Sequence, residues 1–83
     1  MILIYGKGKV GNSMAEFFKY TNTKYEITDD EELLIKRDSS KLTKKQQNYL
    51  ENFTKIIVSP GVPPHHPIYT NYPKKIISEL NSL

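Results

Sequence analysis

The sequence predicts an α/β domain, a small Rossmann-like parallel sheet of about five strands with helices on both faces. Three observations carry this expectation. A short apolar run, Ile2 to Tyr5, stops at a glycine loop and gives way to a segment of helical period. A second apolar run, Lys55 to Val58, stops at Pro60-Gly61. Between and after them strand and helix patterns alternate, which right-handed crossovers convert into a parallel sheet. The 83 residues hold no repeat and no Gly/Ser linker. Residues 1–83 are therefore read as one domain, able to bury roughly 60 to 65% of its unfolded surface.

Ile2 to Tyr5 is almost wholly apolar and rich in β-formers, as a central strand covered on both faces should be. Gly6, Gly8 and Gly11 then form G-x-G-x-x-G. In that pattern the first glycine permits a tight turn, the second lets a pyrophosphate approach the backbone, and the third lets helix and strand pack closely. Val10, Met14, Phe17 and Phe18 recur at helical spacing and are expected to form the face that covers the strand. In Thr21-Asn22-Thr23, Asn22 suits the left-handed conformation that ends helices. Tyr25 to Thr28 reads as a second strand, Leu33 to Ile35 as a short third, and Lys36 to Leu42 as a polar connection. Thr43 and Gln46 form a capping box, and Tyr49, Leu50 and Phe53 continue a helical stripe, so a helix is expected from about Lys44 to Asn52. Lys55 to Val58 is the next core strand. Pro60-Gly61 fits the central positions of a type II turn. Pro67 suits the first position of a short helix, Ile68 to Tyr72, with His66 at its cap. Lys75 to Ser78 closes the chain as a last strand.

Composition narrows the function classes. A formal net charge of +3 and a pI near 9.1 invite nucleic acid, yet the lysines are scattered. The densest group, Lys41, Lys44 and Lys45, has no interleaved aromatics and reads as a solvated face, so no nucleic-acid partner is expected. The absence of cysteine excludes a disulfide framework. Neither a charged leader nor the ~20 apolar residues of a membrane span are seen, so the expectation is a cytoplasmic protein with no membrane partner. His65 and His66 are adjacent, and adjacent side chains diverge. With no Cys, Asp or Glu at ligand spacing nearby, no metal is expected there. The run Asp29 to Glu32 lacks EF-hand spacing and a loop glycine. Ser13 and Ser59 lack the G-x-S-x-G elbow, and no catalytic triad can be assembled.

What remains is anion binding. The glycine loop opens straight into a helix, whose unpaired first-turn amides and positive dipole end form a candidate phosphate cradle. Gly6 to Ser13 also fits G-x-x-x-x-G-K-[ST], except that Asn12 stands where the phosphate-reaching lysine belongs, which excludes a P-loop NTPase. Asp29 lies eighteen residues beyond Gly11, where a mononucleotide-binding half places a carboxylate for a ribose hydroxyl, with Asp30 next to it. The loops Gly6 to Gly11, Asp29 to Glu31 and Ser59 to Pro64 are expected to converge beyond the strands' carboxyl ends. Ligands of such sheets bind there, where strand order reverses.

Two motifs together resemble a known family. Ile4-Tyr5-Gly6-Lys7-Gly8-Lys9-Val10-Gly11-Asn12-Ser13 at one end, and Ile56-Ile57-Val58-Ser59-Pro60-Gly61-Val62-Pro63 with His66-Pro67 at the other, look like the amino-terminal domain of the Mur ligases. The match is closest to the branch that adds D-glutamate. The S-P-G-[VI]-P segment followed by H-P is the more specific part, and Ile76-Ile77-Ser78-Glu79-Leu80 looks like the strand and glutamate that close that domain. The resemblance covers essentially the whole chain, with Glu32 to Asn52 least constrained. It implies that Gly8, Lys9, Val10 and Gly11 present the loop to a UDP diphosphate, that Asp29, Asp30 and Glu31 lie at the uridine, and that Gly61 sits in the facing loop. The implied partner is UDP-N-acetylmuramoyl-L-alanine.

The chain departs from the family at three points. Val10 stands where Ser or Thr is usual, a lost hydroxyl that Lys7 and Lys9 are placed to offset. Asp30 and Glu31 stand where a basic residue often follows the acid. The central domain with its G-T-N-G-K-[ST] loop, which would bring ATP and Mg, and the third domain are missing. The resemblance therefore implies a substrate-binding first domain of a longer ligase, holding no cofactor itself and catalysing nothing alone. Two other readings stay open: an NAD(H)-sensing regulatory domain, which shares the glycine loop and acidic strand end, and an interaction domain with no ligand.

Overall fold

A computed structural model describes residues 1–77 of the chain. In order these form β1 (Ile2–Tyr5), α1 (Lys9–Tyr20), β2 (Tyr25–Thr28), α2 (Asp30–Leu33), α3 (Lys44–Leu50), β3 (Lys55–Val58), α4 (Pro67–Asn71) and β4 (Ile76–Ile77). The sheet is all parallel in the order β2-β1-β3-β4. Strand order thus reverses between β1 and β3: the chain leaves β1 toward β2 on one side and returns to β3 on the other. No helix of the described residues is long and apolar enough to cross a membrane.

Side chains on successive strand residues point to opposite faces, and alternate residues of β1 and β3 feed two separate clusters. Leu3, Tyr5, Ile56 and Val58 pack with Leu50 and Phe53 from α3 and its C-terminal flank, and with Ile68 from α4. Ile4 and Ile57 pack with Met14 and Phe18 from α1. Leu3, Ile4, Leu50, Ile56 and Ile68 are wholly excluded from solvent, each contributing roughly 1.5–3 kcal/mol of apolar burial. The buried residues of α1 are Gly11, Met14 and Phe18. Val10 and Phe17, expected on that face, instead stand 42% and 54% exposed. The close seat of Gly11 on β1 turns α1 so that their side of the helix faces outward.

The described residues hold four strands. The expected strand over Leu33, Leu34 and Ile35 is replaced by the single helical turn of α2 and a left-handed residue. Asp29 Oδ1 accepts the Glu32 amide at 2.9 Å and starts the turn, and Leu34 at φ 58° ends it. The carbonyls of Leu33 and Leu34 then meet the Gln46 side-chain amide, at 2.9 and 3.0 Å, where a strand would have met a neighbour. Gln46 reaches them because the capping box holds it: its own amide donates to Thr43 Oγ1 at 3.1 Å, and its Oε1 accepts the Thr43 amide at 2.8 Å. Asn22 ends α1 with φ 61°, as its residue type suggested.

His66 caps α4 through Nδ1, which accepts the Ile68 amide at 3.0 Å, and Pro67 opens the helix. Ser59 to Val62 is a turn closed by Val62 N to Ser59 O at 3.0 Å. It is not type II, because Gly6 is the one described glycine with positive φ and Gly61 lacks the left-handed φ that type II requires. Of the last expected strand, Ile76 and Ile77 pair with Ile56 and Ile57. Ser78, Glu79 and Leu80 lie outside the described residues.

Leu34 combines a left-handed backbone with a side chain 79% exposed. A branched residue there is strained by about 1–2 kcal/mol, more than glycine's added unfolded-state entropy takes back. Leu34→Gly is expected to stabilise the domain by up to about 1 kcal/mol, a rise of ~4–8 °C in Tm for a domain of this size. A thermal melt of both proteins checks it, and an unchanged or lower Tm would show that Leu34 is not strained.

Candidate functional site

The carboxyl edge of the sheet is tied together at Gly6. Its amide donates to Thr28 O at 2.7 Å, and the Ser59 amide donates to Tyr5 O at 2.9 Å, so β2, β1 and β3 all release their loops at one level. Ser59 Oγ also donates to Gly6 O at 3.1 Å, joining the glycine loop to the facing turn. Gly6 has φ +109°, and a Cβ on it would fall 2.6 Å from Ser59 Oγ. A Cβ on Gly11 would lie 2.1 Å from Gly6 O. Both positions are closed to any other residue by the chain's own atoms.

Gly8 is different. Its φ of −75° and ψ of −171° lie in the extended region open to all residues, and a Cβ there meets nothing within 4 Å. It stands at the N-cap of α1 and supplies no side-chain cap. The first bond into the helix is Asn12 N to Gly8 O at 2.9 Å, so the amides of Lys9, Val10 and Gly11 have no partner among the described residues. Asn12, standing where a P-loop lysine would be, donates from Nδ2 to Lys7 O at 3.2 Å and so braces the loop.

A cavity of about 540 Å³ opens at this edge, between the loop after β1 and the turn after β3. That is where strand order reverses, the position at which open α/β sheets bind ligands. Residues 6–10, Asp29, Arg37 and residues 59–62 line it. The three loops therefore converge as the sequence predicts. Gly8, Lys9, Val10, Asp29 and Gly61 reach the cavity, and a Cβ on Gly61 also meets nothing within 4 Å. Gly11 is buried under the loop and does not line it.

Asp30 lines a smaller adjoining cavity of about 230 Å³, which also touches Glu31 and Arg37. Its carboxylate is the hub of a polar network. Tyr5 OH and His66 Nε2 both donate to Oδ1, the latter at 2.6 Å, and Arg37 Nε donates to Oδ2 at 2.7 Å. Because Nδ1 of His66 accepts from the Ile68 amide, the ring proton sits on Nε2. Partial burial pushes the Asp30 carboxyl up, but the bonds from Tyr5, Arg37 and His66 outweigh it and hold the group below the usual carboxylate range. Burial, then the bond to Asp30, raises the Tyr5 phenol. Asp29 uses Oδ1 as the α2 cap, and its Oδ2 has no partner among the described residues. Lys7 is paired with Glu32, which also accepts from Thr28 Oγ1 at 3.1 Å. The hydrogen bond to Glu32 raises the Lys7 ammonium, and the bonds from Lys7 and Thr28 lower Glu32.

Sequence reasoning missed Arg37, which it placed in a polar connection. It also saw only the capping half of His66. Nothing local marks either role, since Tyr5, Asp30, Arg37 and His66 come from four separate segments. Among the described residues no three His, Cys, Asp or Glu side chains gather at metal-ligand geometry. Family models, characterised proteins and solved structures yield no match to the chain. The class that fold and site define is a parallel α/β domain with an open glycine loop at its switch point.

Two predictions follow from the glycines and from Asp30. In an ordinary helix Gly→Ala stabilises by about 1 kcal/mol. Gly11→Ala should instead destabilise by ~3 kcal/mol or abolish folding, while Gly8→Ala should stay within ~0.5 kcal/mol of wild type. Urea unfolding of the pair is the check, and equal effects would mean the close packing is misassigned. For Asp30, a depressed folded pKa contributes stability that is full above the unfolded carboxyl range near ~4 and is lost as pH falls through the folded value. The stability difference between wild type and Asp30→Asn should therefore shrink as pH drops from about 5 toward 2. Unfolding midpoints across that range measure it; a constant difference would contradict the assignment.

Proposed function

We propose that this chain binds the UDP portion of UDP-N-acetylmuramoyl-L-alanine. It would do so as the first domain of UDP-N-acetylmuramoyl-L-alanine:D-glutamate ligase, an ATP-dependent enzyme of peptidoglycan synthesis in the bacterial cytoplasm. One observation carries the reading: at the switch point, a cavity of nucleotide size is bounded by unpartnered amides on one side and the Ser59-Pro60-Gly61-Val62 turn on the other. Gly8 and Gly61 border that space, and no protein atom accounts for a glycine at either position. This is what a ligand pressed against backbone requires.

The chemistry is recognition. The amides of Lys9 and Val10, with the dipole of the twelve-residue α1, would stabilise the diphosphate. Val10 supplies its amide without a hydroxyl. The open Oδ2 of Asp29 can accept from a ribose hydroxyl. Activation of the carboxylate by ATP and attack by D-glutamate belong, on this reading, to a separate domain, so this chain alone binds substrate without turning it over. UDP, NADH and ATP offered in parallel separate this reading from a nicotinamide sensor or a domain with no ligand.

The test is a titration of isotope-labelled amides with UDP on wild type, Gly8→Val and Lys9→Ala. Gly8→Val fills ligand space in a backbone conformation valine accepts, so it should fold and lose at least ~1.5 kcal/mol, about tenfold in affinity. Lys9→Ala should lose under ~1 kcal/mol. Shifted amides away from Gly8, Val10 and Gly61, or wild-type affinity in folded Gly8→Val, would falsify the cradle. Tighter binding of NADH than of UDP would favour the sensor.

A further inference from the structure

Three cations line the main cavity, and they are not equivalent. The Lys7 ammonium is engaged by Glu32. Lys9 is exposed in the first turn of α1 and sits on a flexible stem. Arg37 alone among the three is anchored from behind. Its Nε is fixed on Asp30 Oδ2 at 2.7 Å, and Asp30 is held by Tyr5 and His66, whose side chains are 1% and 0% exposed. His66 is in turn locked by the Ile68 amide.

A guanidinium carries five N–H donors, and only the one on Nε is used here. The Nη groups have no hydrogen-bond partner among the described residues, while Arg37 borders both the glycine-loop cavity and the smaller one beside it. Tyr5 and His66 are neutral, so the assembly is a carboxylate at the inner end and a guanidinium at the cavity. Holding the fork in advance removes rotamer entropy that a free lysine would lose on binding.

We propose that Arg37 is the cation this site presents to a diphosphate, and that Tyr5, Asp30 and His66 are positioning residues that aim its guanidinium into the cavity. The proposal rests on the nucleotide reading for the position of the anion, but not for the identity of the nucleoside. It also accounts for the acidic Asp30 within an anion site: its charge anchors the arginine.

The experiment follows the Arg37 Nε–Hε resonance and the loop amides while inorganic pyrophosphate, UDP or uridine is added. Wild type is compared with Arg37→Ala, Arg37→Lys, Tyr5→Phe and the Tyr5→Phe/Arg37→Ala double variant. Pyrophosphate and UDP should shift the Arg37 resonance. Arg37→Ala should weaken both by about tenfold and leave uridine unaffected, and Arg37→Lys should restore little because an ammonium lacks the fork. Tyr5→Phe removes one hydroxyl and should weaken pyrophosphate binding about threefold, with no further loss in the double variant. A merely structural tyrosine would weaken both backgrounds alike, which overturns the positioning role. Unchanged pyrophosphate affinity in Arg37→Ala, or an Arg37 resonance that saturating pyrophosphate does not move, overturns the proposal. If Arg37 responds to pyrophosphate while UDP binds no tighter than pyrophosphate, the arginine assignment stands and the nucleotide reading fails.

Discussion

The backbone of Gly6 is the point on which the rest depends. Its N–H closes the β1–β2 edge on Thr28, its oxygen accepts Ser59 Oγ from the β3 loop, and that same oxygen leaves room only for a hydrogen at Gly11. Three connections are thus fixed by the backbone of one residue. The first turn of α1 can approach β1 only in the pose that this contact permits, and that pose sets Lys9 and Val10 at the cavity. Met14 and Phe18 then bury the helix without further choice of rotation, and Val10 and Phe17 are left outside. The site is a consequence of backbone packing before any side chain takes part.

The opposite cluster is organised differently. Beside an apolar core of Leu3, Leu50, Phe53, Ile56 and Ile68 sits a polar junction linking β1, α2, Arg37 and the start of α4. An unpaired group in such a place would cost several kcal/mol, and none arises: among the described residues no buried side-chain nitrogen or oxygen lacks a partner. Tyr5 and His66 also meet edge to face, with ring centroids 5.3 Å apart. Hydrogen bonding and ring packing act on the same pair. The exposed Lys7–Glu32 pair stands in contrast, since solvent-exposed ion pairs contribute ~0–1 kcal/mol.

What was legible in the sequence is what short-range chemistry determines. The Thr43–Gln46 capping box, His66 and Pro67 at the start of α4, Asn22 at the end of α1 and the two apolar core strands are each fixed within a few residues, and each is present. The convergence of the loops followed from topology. The strand expected at Leu33 to Ile35 failed because a distant side chain, Gln46, took the carbonyls that a neighbouring strand would have used. The type II turn failed because a Pro-Gly pair permits more than one turn type, and the bond between the Gly6 and Ser59 loops selects another. Arg37 was invisible for the same kind of reason: its neighbours in sequence say nothing of Asp30, which captures it.

The openness around Gly8 has a meaning beyond geometry. Positions 6 and 11 are under the jurisdiction of the fold, and any descendant that still folds must keep them. Position 8 answers to nothing inside the molecule. A side chain there would project into open space, and serine or aspartate would improve the helix cap. A substitution at that single position therefore changes the cavity and the helix cap while leaving the packing of the sheet edge as it is.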